Sequence, residues 1–277
     1  MIDEKKLLSY LPKNSYLYKS LSYVIKVGGK RFRPKLTYAT ASLFNSPKKN
    51  ITTPAVAIEF IHLYSLIHDD LPAMDDDNIR HSNPSCHKKF DEATAILTGD
   101  VLQTIAFDII LKDVNLSDRQ KVLMTQALSK FSIMMVDGQM LDLSNVNKKI
   151  DTQALKTMHR LKTGALLRCS IRLGALTNNN ISDKDILLLD LIAKDIGLAY
   201  QIQDDVLETI TSSEVLGKSN TSDIDNNKTT FIDVLGLENA TNEFKKLYKN
   251  SLTQLEQLDN NKSELRDIIN KMSQRDF

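Results

Sequence analysis

The sequence predicts an all-α protein, a single domain over residues 1–277 built from long, mostly antiparallel helices. Only 9 glycines and 6 prolines occur in 277 residues, about half of their ordinary share. The chain therefore lacks the turn residues that a β-sandwich or an array of βαβ units needs. Hydrophobic residues make up 42% of it, which is enough for a large core and excludes disorder as the main description.

Apolar residues recur at helical spacing along most of the chain. Helices are predicted in order at 54–68, 93–112, 118–143, 152–176 and 183–210. Pro54 is expected in the first turn of the first helix, and Ser117 and Ser182 are expected N-caps of the third and fifth. The tail 239–275 is predicted as one amphipathic helix or a pair. No linker rich in proline, glycine or serine divides the chain, which favours one domain.

Charge and cysteine content exclude several classes of function. The 36 basic and 35 acidic residues give a net charge of +1, which is not typical of a nucleic-acid-binding protein. Cys86 and Cys169 are isolated, so neither a disulfide framework nor a structural zinc site is indicated. No signal peptide is evident at the N-terminus, and no run approaches ~18 uninterrupted apolar residues. We therefore expect a cytoplasmic protein without a membrane span.

The first chemical signal is a group of five aspartates between Asp69 and Asp77, at the end of an apolar helix. Helix C-termini carry partial negative charge, so carboxylates there favour a bound cation. Mg²⁺ prefers a few carboxylates completed by waters and substrate phosphates. Asp75 is six residues after Asp69. Either the helix distorts at 71–72, where a proline lies, and brings Asp75 back, or Asp75 is not a co-ligand.

A second acidic group, Asp204-Asp205-x-x-Glu208, is expected at the end of the fifth helix. Asp204 and Glu208 are about one turn apart and share a face, and Gln201 shares that face one turn earlier. A single group of this kind is common on surface helices. Two such groups predict a metal site in which they face one another across an apolar cleft.

Six motifs in order resemble those of the trans-isoprenyl diphosphate synthase family, most closely its bacterial farnesyl and geranyl diphosphate synthases. They are GGKRFRP at 28–34, the aspartates of 69–77, Gly138-Gln139-x-x-Asp142, Lys162-Thr163-Gly164, Gln201-x-Gln203-Asp204-Asp205, and Gly217-Lys218 with Lys228. The resemblance implies a helical bundle of the isoprenoid synthase type around a central cavity. It also implies a homodimer.

The activity that this resemblance implies is head-to-tail prenyl transfer. Isopentenyl diphosphate would condense with dimethylallyl or geranyl diphosphate to give farnesyl diphosphate. The steps would be Mg²⁺-assisted ionisation of the allylic diphosphate, condensation, and loss of a proton. Two or three Mg²⁺ ions are expected, with diphosphate substrates as the small-molecule partners.

The resemblance also implies roles for individual residues. The substrates would be bound by Lys30, Arg33, His62, Arg80, His81, Lys218 and Lys228. Metal ligation would fall to Asp69, Asp75, Asp204, Asp205 and Glu208. Lys162, Thr163 and Gln201 would serve catalysis, the last two through oxygens aimed at the allylic carbocation. Tyr64 and Ser65, one turn before the first aspartate, would limit the length of the product.

The sequence departs from the family pattern at three places. His81 and Ser82 follow Arg80 where the family has a second arginine and a glycine, which puts the affinity for isopentenyl diphosphate in question. Glu208 replaces an aspartate, and Tyr200 replaces a phenylalanine. A terpene cyclase or head-to-head synthase, and an inactive regulatory subunit, are the alternatives. The cations at 30 and 33 argue against the first, and the presence of both acidic groups argues against the second.

Overall fold

The structure, a computed structural model, describes residues 2–214 and 228–275, without the side chains of 211–214. In these residues thirteen helices and one two-stranded hairpin occur. The elements in chain order are α1 Glu4–Leu8, α2 Tyr18–Val27, α3 Phe32–Leu43, α4 Lys48–Asp69, β1 Ile79–Arg80, β2 Asn83–Pro84, α5 Cys86–Lys89, α6 Glu92–Lys112, α7 Asp118–Ser144, α8 Thr152–Lys162, α9 Gly164–Ala175, α10 Asp183–Glu214, α11 Phe231–Leu235, α12 Leu237–Leu255 and α13 Ser263–Ser273. The predicted all-α class is confirmed.

The chain divides into two compact units. The first contains Met1–Ser129 and Leu173–Asn179, and the second contains Lys130–Arg172 and Asn180–Phe277. The prediction of a single domain over 1–277 stays a prediction.

The first unit is built around α4, which packs against α3 and α6. Phe60 and Ile61 of α4 are fully buried, and buried residues lie on every side of this helix. The helix begins at Lys48, so the prediction that Pro54 lies in its first turn was wrong. Ile51 is buried ahead of the proline and extends the apolar face toward the N-terminus. Burial of that face outweighs the one backbone hydrogen bond that the proline removes.

The second unit is built around α10, which packs against α12 along much of its length. Its buried face includes Ile192, Ile196 and Ile202. The helix continues to Glu214, so the second acidic group lies inside it. The prediction that this group lies at the end of the helix was wrong. No glycine or proline interrupts residues 209–214, which explains why the polar sequence there does not stop the helix.

Some helix boundaries could be predicted from the local sequence, and others could not. The backbone N–H of Gln120 donates to Ser117 Oγ at 3.3 Å, and that of Asp185 donates to Ser182 Oγ at 3.0 Å. Both predicted N-caps are confirmed. The tail forms the predicted pair of helices, α12 and α13. The segment 152–176, predicted as one helix, is instead α8 and α9, with a break at Thr163.

Within the part of the chain that the structure describes, α6 is long and apolar enough to cross a bilayer by length and composition alone. Its best 18-residue window has a mean hydropathy of 1.5, and a third of that window is buried in the structure. One such helix is weak evidence for a span, because a helix that packs in a protein core passes the same test. Here α6 packs against α4.

Candidate active site

The first acidic group lies in a turn that directly follows α4. The helix ends at Asp69, and the backbone N–H of Asp75 donates to the carbonyl oxygen of Asp69 at 2.9 Å. The N–H of Leu71 donates to the carbonyl of His68 at 3.2 Å and closes the last turn. The backbone thus returns to the end of α4 at Asp75, as the first of the two alternatives requires. It does so by ending the helix before Pro72. The role of Asp75 as a co-ligand stays a prediction.

These donors fit Mg²⁺. They are all carboxylate oxygens, the ligand type that Mg²⁺ selects, and Asp69 and Asp75 are both partly exposed. Among the described residues, no three His, Cys, Asp or Glu side chains converge closely enough to form a complete cage. Mg²⁺ does not require one, because it is usually bound by one or two carboxylates together with waters and phosphates.

Asp70 has a different environment from its neighbours. It is buried and forms an ion pair with Arg80, whose Nε lies 3.0 Å from Asp70 Oδ1. Arg80 Nη2 also donates to Asp77 Oδ2 at 3.0 Å. Burial raises the pKa of the Asp70 carboxyl, although Arg80 opposes that shift. The pair joins the turn after α4 to β1 and fixes the guanidinium of a residue predicted to bind substrate.

Cations gather around His62, two turns before Asp69 on α4. Desolvation, then the charges of Arg33, Arg31 and Arg80, hold the pKa of the His62 imidazole well below 6.5. The imidazole is therefore neutral at pH 7, and it can donate one N–H to an anion without adding charge. The structure thus groups three of the predicted substrate-binding residues, Arg33, Arg80 and His81, with this histidine.

Arg31 is a member of this cluster that the sequence argument did not select. It forms an ion pair with Glu59, which is 2% exposed, and its Nη2 donates to the carbonyl of Ile25 at 2.7 Å. Its backbone is left-handed, with φ 53°, where α3 begins. Arg31 therefore anchors the loop that carries Lys30. Its place inside the GGKRFRP motif was the only available signal.

The two residues predicted to limit product length lie on the same helix. Tyr64 is 8% exposed, and its ring packs edge-on against His68, with 5.2 Å between centroids. Ser65 Oγ donates to the carbonyl of His62 at 2.9 Å. Tyr64 thus presents a large, fixed side chain one turn before the end of α4, where the first acidic group begins. Ser65 is held against the helix backbone.

In the second unit, two lysines of the predicted site, Lys162 from the catalytic set and Lys228 from the substrate-binding set, share one buried carboxylate. Asp142 Oδ2 accepts from Lys162 Nζ at 2.5 Å and from Lys228 Nζ at 3.0 Å. Burial raises the pKa of this carboxyl, but the two lysines outweigh burial and lower it below 3.8. Close packing supports the arrangement, because a Cβ on Gly138 of α7 would lie 2.1 Å from the backbone nitrogen of Lys162. Only glycine allows this approach.

A chain of hydrogen bonds connects the predicted catalytic residues. Thr163 Oγ1 donates to Gln201 Oε1 at 3.0 Å, and Gln201 Nε2 donates to Asp205 Oδ1 at 3.1 Å. The other oxygen of Asp205, which is buried, accepts the backbone N–H of Phe231 at 2.7 Å. Gln201 was expected on the face of Asp204 and Glu208, and the contact in the structure is to the flanking Asp205. The carboxylate of Asp205 positions Gln201 and the start of α11, and its role as a metal ligand stays a prediction.

Asp204, on the more exposed side of α10, is paired with a residue from the end of the chain. Arg275 Nη1 lies 2.5 Å from Asp204 Oδ1, and its guanidinium stacks 3.6 Å from the ring centroid of Tyr200. Arg275 Nε also donates to Gln203 Oε1 at 3.1 Å. Nothing in the local sequence around Arg275 predicted this contact. Glu208, partly exposed, lies one turn beyond Asp204 on α10.

Comparison with known proteins decides the family. Residues 14–272 match the polyprenyl synthetase family. The chain belongs to that family. It is 44% identical over 248 residues to the farnesyl diphosphate synthase of Haemophilus influenzae, an alignment that covers 88% of this chain and 84% of that protein. The predicted prenyltransferase class is thereby confirmed.

Solved structures of similar fold extend the comparison. A geranyltransferase from Legionella pneumophila superposes with a TM-score of 0.86 at 33% identity, covering 97% of this chain and 91% of the other. A geranyltransferase from Helicobacter pylori, complexed with magnesium and isoprenyl diphosphate, gives a TM-score of 0.83 at 30% identity, covering 97% and 93%. The predicted isoprenoid synthase type of fold is confirmed for this polyprenyl synthetase.

Within this polyprenyl synthetase, sequence reasoning missed three charged residues that hold predicted site residues in place. Asp142 was identified only as part of a motif, while Arg31 and Arg275 were given no role. All three are ion-paired in the structure. Lys218, predicted to bind substrate, lies outside the described residues. Its role stays a prediction.

Proposed function

We propose that this polyprenyl synthetase makes farnesyl diphosphate by adding isopentenyl diphosphate to dimethylallyl and then geranyl diphosphate, with Mg²⁺ as cofactor. The observation that carries the proposal is the turn after α4, where Asp75 folds back beside Asp69. The magnesium complex of the Helicobacter pylori relative supports the choice of ion. When bound, two or three Mg²⁺ ions would supply Lewis-acid stabilisation of the departing diphosphate.

The residues of the first unit would bind isopentenyl diphosphate. Lys30 and Arg33 supply fixed positive charge, and arginine offers a planar fork that matches phosphate oxygens. His62 is neutral because its pKa is held well below 6.5 by desolvation and by neighbouring arginines. It would add a hydrogen bond to the diphosphate without increasing the repulsion within this cluster.

The residues of the second unit would act on the allylic substrate. Lys162 and Lys228, held by Asp142, would bind its diphosphate, together with Lys218. Asp204, with Glu208 and Asp205 as further predicted ligands, would complete the metal-binding set. Thr163 donates its hydroxyl hydrogen to Gln201. The lone pairs of the Thr163 hydroxyl oxygen therefore point away from Gln201 and can face the substrate. Oxygen dipoles of this kind stabilise a developing carbocation.

The final proton is transferred without a protein base in this scheme. After the isopentenyl double bond attacks the allylic cation, the released diphosphate would accept the proton that is lost. His62 would not be that base, because it would donate a hydrogen bond to the diphosphate of isopentenyl diphosphate. Condensation therefore depends on positioning and charge, which these residues provide.

The direct test is incubation of the purified chain with isopentenyl diphosphate, geranyl diphosphate and Mg²⁺, followed by chromatography of the products. We expect a fifteen-carbon diphosphate that forms only when isopentenyl diphosphate and Mg²⁺ are both present. Release of diphosphate without chain extension would favour a cyclase. Absence of both reactions would favour an inactive subunit, and either result would contradict the proposal.

Tyr64 supplies a prediction about product length. Replacing Tyr64 by alanine removes a buried ring of fixed orientation, so the product chain gains room one turn deeper along α4. We expect Tyr64→Ala to shift the main product from fifteen to at least twenty carbons, measured by chromatography of the dephosphorylated products. Tyr64→Phe keeps the bulk and should still make the fifteen-carbon product. An unchanged product from the alanine variant would remove Tyr64 as the limit.

We also propose that the chain is a homodimer through α6. Leu97 and Leu111 are each 52% exposed and lie about four turns apart on one side of this helix. A second copy would cover them, since burying large exposed apolar side chains favours association. We expect Leu97→Glu with Leu111→Glu to halve the mass measured by light scattering. Leu187→Glu, at an exposed leucine of α10, should leave the mass unchanged. A monomeric wild-type chain would contradict the proposal.

A further inference from the structure

His81 occupies a distinctive position in the hairpin that follows the first acidic group. It comes directly after β1, and both His81 and Ser82 have left-handed backbones, with φ of 49° and 61°. This turn places the imidazole against the GGKRFRP loop, because a Cβ on Gly29 would lie 3.2 Å from His81 Nε2. His81 is an exposed residue, and the one hydrogen bond recorded for it among the described residues is accepted by its backbone carbonyl from Asn83.

The charged groups close enough to act on this imidazole are mainly cationic. They come from three elements: Lys30 and Arg31 from the loop before α3, His62 and Glu59 from α4, and Arg80 from β1. The single anion of this set, Glu59, is already paired with Arg31. A recess of about 350 Å³ lies beside His81, and its other titratable lining groups are Tyr23, Asp70, Arg80 and Cys86. Asp70 is paired with Arg80.

In the free protein, the positive charges around His81 disfavour protonation of its imidazole. Desolvation, then Arg80, Arg31 and Lys30, lower the pKa of the imidazole from 6.5, and Glu59 only partly opposes them. An anion bound among these cations has the opposite effect, since a nearby negative charge favours the protonated form of a histidine. A histidine here can therefore gain its charge at the moment when a diphosphate arrives.

We propose that His81 binds the diphosphate of isopentenyl diphosphate as an imidazolium and takes up a proton from solvent when that substrate binds. The inference rests on the proposed function. An arginine at this position would carry its charge at all times, whereas His81 makes the charge conditional on the substrate. Because the pKa of His81 is higher in the complex than in the free protein, affinity is greatest at low pH. The affinity for isopentenyl diphosphate falls as the pH rises through the pKa that His81 has in the complex.

Two measurements test the proposal. Binding of isopentenyl diphosphate is followed by calorimetry at pH 7.5 in buffers that differ in ionisation enthalpy, for the wild type and for His81→Arg. The substrate's own titration is common to both proteins, so the difference between them reports His81. We expect the wild type to take up more protons than the variant. We also expect its KM for isopentenyl diphosphate, relative to that of the variant, to rise about tenfold from pH 6.5 to 8.5.

A second readout uses the wild type alone and does not depend on the folding of a variant. The pKa of His81 is measured by nuclear magnetic resonance with and without isopentenyl diphosphate, and it should rise on binding. Equal proton uptake in the two proteins, or an unshifted pKa, would overturn the role of His81 while chain extension still supports the proposed function. Failure to bind isopentenyl diphosphate at all would overturn both.

Discussion

Replacing Asp69 by asparagine should reduce kcat by about a thousandfold while the protein remains fully folded. The substitution keeps the size of the side chain and removes one charged oxygen from the turn that brings Asp75 back to the end of α4. Metal ions contribute several kcal/mol to such a reaction, and about 4 kcal/mol corresponds to a factor of a thousand in rate. The measurement is steady-state turnover with isopentenyl and geranyl diphosphates at saturating Mg²⁺.

The stability of this variant separates a functional loss from a structural one. Asp69 is the last residue of α4, where a negative charge is unfavourable by about 0.3–1 kcal/mol. In the absence of Mg²⁺, the Tm of Asp69→Asn should therefore lie within a few degrees of that of the wild type, because the charge that is unfavourable for the helix also attracts Arg80. Asp118→Asn, at a fully exposed aspartate at the start of α7, is the control and should retain full turnover. Retention of turnover by Asp69→Asn would remove Asp69 from the metal-binding set.

Asp142→Asn should lower both activity and stability. The carboxylate accepts hydrogen bonds from Lys162 and Lys228. Without its charge, these two ammonium groups repel each other and lose their shared position. Loss of one partner from a buried pair costs about 3–5 kcal/mol, and the partial exposure of both lysines reduces this to about 2 kcal/mol. We expect a Tm lowered by several degrees and a kcat/KM for geranyl diphosphate lowered about a hundredfold.

The matched control for Asp142 is Asp137→Asn, because Asp137 is exposed on the same helix. This variant should change neither the Tm nor the kcat/KM for geranyl diphosphate. The stability difference between the wild type and Asp142→Asn should also depend on pH. The pKa of Asp142 is below 3.8 in the folded chain, so its contribution is present above that value and is lost as the pH falls below it. An Asp142→Asn enzyme with wild-type kcat/KM would show that the lysines need no fixed anion.

Features controlled by neighbouring residues were predictable from the sequence. The caps at Ser117 and Ser182 depend on a hydroxyl and a backbone N–H three residues away. The bounds of α6 and α7 follow from apolar spacing in the same way. For the same reason the first acidic group could be placed directly after α4.

Features controlled by packing between elements were not predictable. The break at Thr163 lies where α9 begins at Gly164, and a Cβ on Gly197 of α10 would come within 2.9 Å of the Gly164 Cα. The local sequence does not predict that close contact between α9 and α10. The pairing of Arg275 with Asp204 is of the same kind, since it joins residues about seventy positions apart. The hairpin at 79–84 turns through two left-handed residues, at 81 and 82, neither of which is glycine.

The measurement that tests the account most directly is Mg²⁺-dependent binding of a non-cleavable thiolo analogue of geranyl diphosphate, followed by calorimetry. It compares the wild type with Asp69→Asn and Asp204→Asn, and it needs no turnover. The account predicts that the wild type binds the analogue tightly only with Mg²⁺. Each variant should bind it at least about a hundredfold more weakly. If either variant keeps the wild-type affinity and the wild-type dependence on Mg²⁺, then its acidic group does not bind the diphosphate through metal, and the central claim fails.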